Sequence, residues 1–257
     1  MSDANDLVLS ETRDRVLLIT LNRPDARNSV NRDLAEQLGS ALDKLDADPN
    51  LSVGVLTGAG KGFSAGMDLK AFAQGGMPNI AGRGFAGIVE KSCTKPLIAA
   101  VEGFALAGGL EIALSCDIVV AAKGARLGIP EVGVGLFAGA GALLRLPRHV
   151  GYLVAMELAL TADPMLAERG YELGLVNRLT EPGGAVAAAL ELAERIARNA
   201  PLGLAASKRL IRESWGMSDE DFFPYQQPIL TDVFGSADAL EGATAFAEKR
   251  SPNWQGK

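Results

Sequence analysis

The chain is poor in the side chains that build most catalytic and structural centres: among 257 residues there are one His and two Cys. A disulfide-stapled secreted fold needs more cysteine, and a structural zinc site needs four Cys or His ligands, so both are excluded. A hydrolytic triad would have to recruit His149, the single imidazole, from Leu-Pro-Arg-His-Val. Cationic excess is absent too, since the net charge of -6 argues against broad contact with nucleic acid or an anionic membrane. The longest apolar tract, Leu97 to Cys116, carries Glu102 and Glu111 and several glycines, which argues against a transmembrane span. Met1 to Asp6 lacks the basic and apolar regions of a signal peptide, so the expectation is a soluble cytoplasmic protein.

Glycine, by contrast, is abundant: 30 residues, against a usual share of about 7%. With 48% hydrophobic residues and no Gly-X-Y period, neither disorder nor collagen accounts for them. They point to backbone that must turn tightly or approach something closely.

Val16 to Leu21 reads as a buried strand, with Leu7 to Ser10 pairing to it across a Thr-Arg-Asp turn. A helix follows, capped by Ser29 or Asn31, carrying Leu34, Leu38, Ala41, Leu42 and Leu45 at helical spacing and stopped by Pro49. Leu51 to Thr57 is a second strand, running into the glycine-rich Gly58 to Gly66, and Ala73 to Gly87 has the composition of a mobile lid. Pro96 to Val101 and Ile118 to Ala122 are further strands. The first leads through a glycine-bearing turn, Gly103 to Gly109, into an apolar helix from Leu110 to Ser115. From Gly183 onward the pattern is helical only. The reading is an α/β core over residues 1–190 and a helical region over 191–257.

The loop Gly58-Ala-Gly-Lys-Gly fails as a P-loop, because Val55 stands where the first glycine belongs and Gly62 where a Ser or Thr should follow the lysine. Its glycine spacing also departs from the dinucleotide fingerprint. Ser64 lies near a nucleophile-elbow pattern, which is weak support for nucleophilic catalysis, and Cys93 and Cys116 lack the paired spacing of redox or metal motifs. Carboxylates and backbone amides remain. Glu111 opens an apolar helix after Gly108-Gly109 and Glu131 follows Pro130, so a helix, a returning strand and a turn could bring both into one cleft. Taken singly, each also fits a plain structural role: a first-turn acid facing the helix dipole, and an exposed acid. Ala65-Gly-Met-Asp68 and Ala107-Gly-Gly-Leu110 each offer amides at a helix start. Two such donors aimed at one oxygen form an oxyanion hole.

These residues carry a resemblance. Gly62-Phe-Ser-Ala-Gly-Met-Asp-Leu69, the run from Lys95-Pro-Leu-Ile-Ala-Ala-Val to Ala-Leu-Ser-Cys-Asp117, and Ile129-Pro-Glu131 resemble the enoyl-CoA hydratase/isomerase (crotonase) family. Leu21 to Asn31, Leu173-Gly-Leu-Val-Asn177, which resembles a strand after the core, and Phe246-Ala-Glu-Lys-Arg250 extend the likeness over essentially the whole chain. The resemblance implies a crotonase-like spiral of ββα units followed by helices that trimerise, as a homotrimer or a dimer of trimers. It implies Glu111 and Glu131 as catalytic acids and the Met67 and Gly108 N–H groups as the oxyanion hole. Arg27 and Lys249 would meet CoA phosphates and the Ala65 backbone the adenine. Met67, Asp68, Leu69 and Lys70 would line the pantetheine and acyl path, Phe137 would shape the acyl pocket, and the Gly139 N–H would contact the water. The implied activity is hydration of a 2-enoyl-CoA, with no metal and no cofactor beyond the coenzyme A of the substrate. An enoyl-CoA isomerase, a specialised acyl-CoA dehydratase and a non-catalytic acyl-CoA-binding protein are the alternatives. One departure stands out: after the second acid the chain reads Leu136-Phe-Ala-Gly-Ala-Gly-Ala-Leu-Leu144, where hydratases tend to carry Ile-Pro-Gly-Ala-Gly-Gly-Thr-Gln.

Overall fold

The computed structural model describes residues 6–257; Met1 to Asn5, which carry most of the signal-peptide argument, lie outside the described residues. Strands β1 (Val8–Arg13) and β2 (Val16–Leu21) form an antiparallel hairpin, with Val8 opposite Leu21 and Arg13 opposite Val16. The first strand is longer than expected and the turn shorter, because Asp14 adopts a left-handed φ of 49° and closes the hairpin with Arg15 alone. Helix α1 (Arg32–Ala47) starts where Asn31 accepts the Leu34 N–H at 3.0 Å, and it buries the expected leucines. Its carboxyl end is held from outside by Lys95, whose Nζ donates to the Leu45 and Asp48 carbonyls at 2.8 and 2.6 Å.

After β3 (Val53–Gly58) and the short α2 (Leu69–Ala73) come β4 (Asn79–Ile80) and β5 (Gly84–Phe85), a small hairpin in place of the expected lid. Gly84 to Gly87 are buried, and Arg83 ties the segment to Asp43 of α1. Next follow β6 (Leu97–Val101), β7 (Phe104–Leu106), α3 (Gly108–Ala113), β8 (Ile118–Ala122) and β9 (Arg126–Gly128). The turn expected over Gly103 to Gly109 thus contains a strand, too short for periodicity to reveal and defined by its parallel pairing with β9.

A 3-10 turn, Pro130–Val134, leads to α4 (Ala142–Val150), α5 (Tyr152–Thr161), β10 (Met165–Leu166) and α6 (Ala167–Glu172). Leu173 to Asn177 is no strand: Leu175 and Val176 donate back to the Gly170 carbonyl and close α6, and the strand is β11 (Arg178–Thr180). The chain ends in α7 (Ala185–Ala197), α8 (Pro201–Glu213), α9 (Asp219–Phe234) and α10 (Ala237–Glu248).

The main sheet runs β1-β2-β3-β6-β8-β11, parallel from β2 onward, and a second sheet runs β10-β9-β7. Successive strand, strand, helix units, such as β6, β7 and α3, place their first strand in the main sheet and their second in the smaller one. This is the spiral of ββα units. Alternation along the strands divides the core in two. Val16, Leu18, Val53, Val55, Ile98, Ala100 and Val120 face Ala185, Ala189 and Ala193 of α7, small residues that let the helix lie close. Leu17, Ile19, Leu21, Leu56, Ala99 and Val101 face the other way, into the larger core with α1 and α3. A division at 190/191 therefore falls inside α7, which packs on the sheet. Among the described residues no helix is long and apolar enough to cross a membrane.

Candidate active site

Met67 and Gly108 are brought together by backbone alone. Val30 donates to the Gly66 carbonyl at 2.8 Å and Asp68 donates to the Val30 carbonyl at 2.9 Å, a one-residue bridge that leaves the Met67 N–H unused. Ser64 pairs in the same way with Ala105 of β7. Gly66, at φ +89°, passes so near α3 that a Cβ there would lie 2.7 Å from the Gly108 nitrogen. Gly108 is the first residue of α3, and its N–H, like that of Met67, donates to no group among the described residues. Two free amides on adjoining segments, one at a helix start, can polarise a single carbonyl oxygen.

The loop bearing Met67 is held in part by Asn28 and Arg23, which sequence reasoning passed over. Asn28 is buried, with a left-handed φ of 52°; its Nδ2 donates to the Ala59 and Gly62 carbonyls at 2.8 and 2.9 Å and its Oδ1 accepts the Arg23 N–H at 2.9 Å. Asp68 caps α2 by accepting from Lys70 and Ala71, and it pairs with the Arg23 guanidinium at 3.0 Å, so its carboxylate is engaged in holding the loop. Ser64 is fully buried, donating to the Asn28 carbonyl at 2.8 Å and accepting from Gly66, which makes it a strut and not a nucleophile. Ala65 donates to the Arg27 carbonyl at 3.0 Å, which sets Arg27, exposed, at the edge of the same loop. Leu69 and Lys70 are exposed beside it.

The two acids converge from different elements. Glu111, in the first turn of α3, is 3% exposed, and its Oε1 accepts the Ala140 N–H at 2.7 Å and the Ala142 N–H at 3.1 Å. Burial raises its pKa, and the Ala142 and Ala140 amides and the Arg145 charge work against that rise. Glu131, in the Pro130–Val134 turn, has a buried Oε2 with no hydrogen-bond partner among the described residues. Burial, assisted by the negative charge of Glu111, pushes its pKa up to about 7. The two carboxyls thus feel each other, one anchored by amides and one near neutrality. Such a pair holds one proton between two acids.

The passage after Glu131 serves Glu111 through Ala140 and Ala142; Gly139, exposed next to them, keeps its N–H free among the described residues. Phe137 is 70% exposed at the rim. Phe85 forms the wall above Gly108, and Arg145 reaches in from α4; neither carries a motif that marks it in the sequence. Lys249 stands apart: it is exposed at the carboxyl end of α10, a helix that packs on α9. His149 is likewise exposed, in the last turn of α4. Cys93 and Cys116 are buried, and burial pushes the Cys93 thiol up to about 12, which leaves it inert. Among the described residues no three His, Cys, Asp or Glu side chains gather as a metal site would require.

Comparison with known proteins finds related sequences and structures over nearly the whole chain. A family model described as enoyl-CoA hydratase/isomerase matches residues 11–257. The chain is 41% identical to Enoyl-CoA hydratase EchA19 of Mycobacterium tuberculosis, with 97% of this chain and 96% of the relative covered. It is 40% identical to carnitinyl-CoA dehydratase of Salmonella arizonae, covering 94% and 95% respectively. A crystal structure of enoyl-CoA hydratase from Mycobacterium tuberculosis H37Rv superposes with a TM-score of 0.95 at 56% identity, over 98% of this chain and 99% of that one.

Proposed function

The chain belongs to the enoyl-CoA hydratase/isomerase family, and from that premise we propose that it adds water across the 2,3 double bond of a 2-enoyl-CoA thioester. The observation that carries this reading is the unequal pair of acids: Glu111 gripped by two amides, and half-buried Glu131 with a pKa of about 7 and a buried, unpartnered oxygen. Hydration needs one base and one acid on the same face, and this pair supplies them.

The thioester oxygen would accept from the Met67 and Gly108 N–H groups, drawing electron density from carbon 3. Glu111 takes a proton from a water that also meets the Gly139 N–H, and the water oxygen bonds to carbon 3. The electron pair of the double bond moves into the enolate, whose oxygen the two amides stabilise by about 3 kcal/mol per donor. Protonated Glu131 then delivers its proton to carbon 2. The dyad ends with its proton on the other acid and resets by exchange with solvent. Every proton and charge of the addition is accounted for by these groups, so the proposal requires no metal and no cofactor besides the coenzyme A of the substrate.

Arg27, the Ala65 backbone, Leu69, Lys70 and Phe137 would hold the CoA and acyl portions. Lys249 is proposed to reach a CoA phosphate of an adjoining subunit, which implies a homotrimer or a dimer of trimers. Exposed Phe234, Leu240 and Phe246, at 75%, 72% and 87%, support burial of the terminal helices in such an assembly. The proposed setting is the cytoplasm. Dehydration of a hydroxyacyl-CoA is the same reaction reversed, and the likeness to carnitinyl-CoA dehydratase together with the apolar Leu143 and Leu144 favours it as the second reading.

The test follows loss of the conjugated thioester absorbance of crotonyl-CoA and longer 2-enoyl-CoAs with wild type, Glu111→Ala and Glu131→Ala. Each substitution is expected to cost at least about a hundredfold. A wild-type protein that binds acyl-CoA and hydrates none of these substrates would overturn the proposal. Full activity of Glu111→Ala with loss only in Glu131→Ala would assign a proton shuttle on a single acid, as an isomerase requires.

A further inference from the structure

Arg145 lies three residues beyond the amide that grips Glu111, and its guanidinium reaches two separate segments. Nη1 donates to the Ala140 carbonyl at 3.2 Å, and Nη2 donates to the Val89 carbonyl at 2.6 Å, across 56 residues of sequence. Ala140 is therefore used twice: its carbonyl accepts from Arg145 while its N–H donates to Glu111. Val89 closes a tight turn with Phe85, to whose carbonyl Ile88 and Val89 donate at 3.2 and 3.4 Å. The Phe85 ring in turn lies against Gly108. Gly141 leaves room for the arrangement, since a Cβ there would fall 2.5 Å from Nη1.

We propose that Arg145 is a positioning residue for the reaction, a single guanidinium that holds the wall above the oxyanion amide and the amides gripping the water-activating acid in one register. This role in the reaction rests on the hydratase reading, whereas the coupling of the two segments rests on the geometry alone. A planar fork suits the task because its two terminal nitrogens are held apart in one rigid plane and so reach two separate segments, a span that the single nitrogen of an ammonium lacks.

The charge has a second consequence. Among the described residues Arg145 makes no ion pair, so its charge is not cancelled at contact. The groups that bear on it are Glu111 of α3, Arg212 of α8, Arg148 of its own helix and Cys116. Those bearing on Glu111 are Arg145 and, through its own coupling, Glu131. Removing the cation leaves burial less opposed and moves the Glu111 pKa upward.

Arg145→Met and Arg145→Lys are compared with wild type for kcat, KM and the pH dependence of kcat on crotonyl-CoA. The Glu111 carboxyl is titrated in parallel by carbon NMR of glutamate-labelled protein, its resonance assigned by loss in Glu111→Gln. Arg145→Met is expected to lower kcat at least about tenfold with little change in KM. It should move both the acid limb and the Glu111 titration to higher pH. Arg145→Lys keeps the charge and loses the second bridge, so kcat falls while the titration stays in place. A folded Arg145→Met with the wild-type acid limb and titration would overturn the proposal. Should Arg145→Met fail to fold, Arg145→Lys decides, and wild-type kcat in that variant overturns it. Failure of the wild-type protein to hydrate any enoyl-CoA would remove the hydratase reading, while the Glu111 titration in the variants still decides the coupling.

Discussion

The ring of Phe85 lies over Gly108 so closely that a Cβ on residue 108 would come within 2.5 Å of the Phe85 Cζ. The absence of a side chain at 108 and the presence of an aromatic wall at 85 are thus one feature. It sets an apolar wall against the residue whose amide is proposed to polarise the thioester.

Gly108→Ala is expected to push the ring or the start of α3 aside and to lower kcat/KM by about a hundredfold, the scale of losing one oxyanion donor. Phe85→Ala in the same chain removes the obstacle and should recover at least tenfold of about that loss. Steady-state kinetics on crotonyl-CoA reads both. A double variant no faster than Gly108→Ala would show that the ring is not what the methyl group meets.

Glu131 has its folded pKa raised to about 7 from an ordinary 4.5, so the folded state binds its proton more tightly than the unfolded chain does. The associated stability is fully present below pH 4.5 and is lost as pH rises through 7. Relative to wild type, Glu131→Gln should therefore show no gain in Tm at the acid end and a growing gain between those limits. Calorimetry from pH 4 to 8 measures it, and a constant offset at every pH would contradict a raised Glu131. In wild type kcat/KM should descend above about pH 7, as the acid that delivers the proton becomes ionised.

Asn28→Ala strips the Ala59 and Gly62 carbonyls and the Arg23 N–H of their buried partner. It also forces alanine into a left-handed conformation at φ 52°. The expected loss is about 2 to 3 kcal/mol in urea unfolding, because groups buried without partners cost about 1 kcal/mol or more each. Since the loop carries Met67, activity should fall further than stability alone explains. A variant unfolding within about 0.5 kcal/mol of wild type would show that water replaces the amide.

Local pattern was enough for the elements that rest on local chemistry. Asn31 caps α1 because its side chain meets an amide three residues on, and the apolar runs at Val16, Leu51 and Leu97 become central strands because both their faces are buried. Short pairings were not legible: β7, β10 and β11 have two or three residues each and exist through partners far along the chain. The family resemblance implies a strand at Leu173 to Asn177, yet Gly174 at φ +85° and the Gly170 carbonyl turn it into the close of a helix.

The sequence by itself determined the family, the central strands as apolar runs, and the two acids and two glycine-flanked amides available for chemistry, since motif spacing and apolar runs are properties of neighbouring residues. Tertiary structure decided how those groups differ. Glu111 meets its amides 29 and 31 residues away and Arg145 meets Val89 at 56. Glu131 acquires a pKa near 7 by burial beside another carboxylate, and Asp68, an acid by sequence, is claimed by Arg23. Charge state and register depend on burial and on contacts across the fold, and no local pattern encodes them.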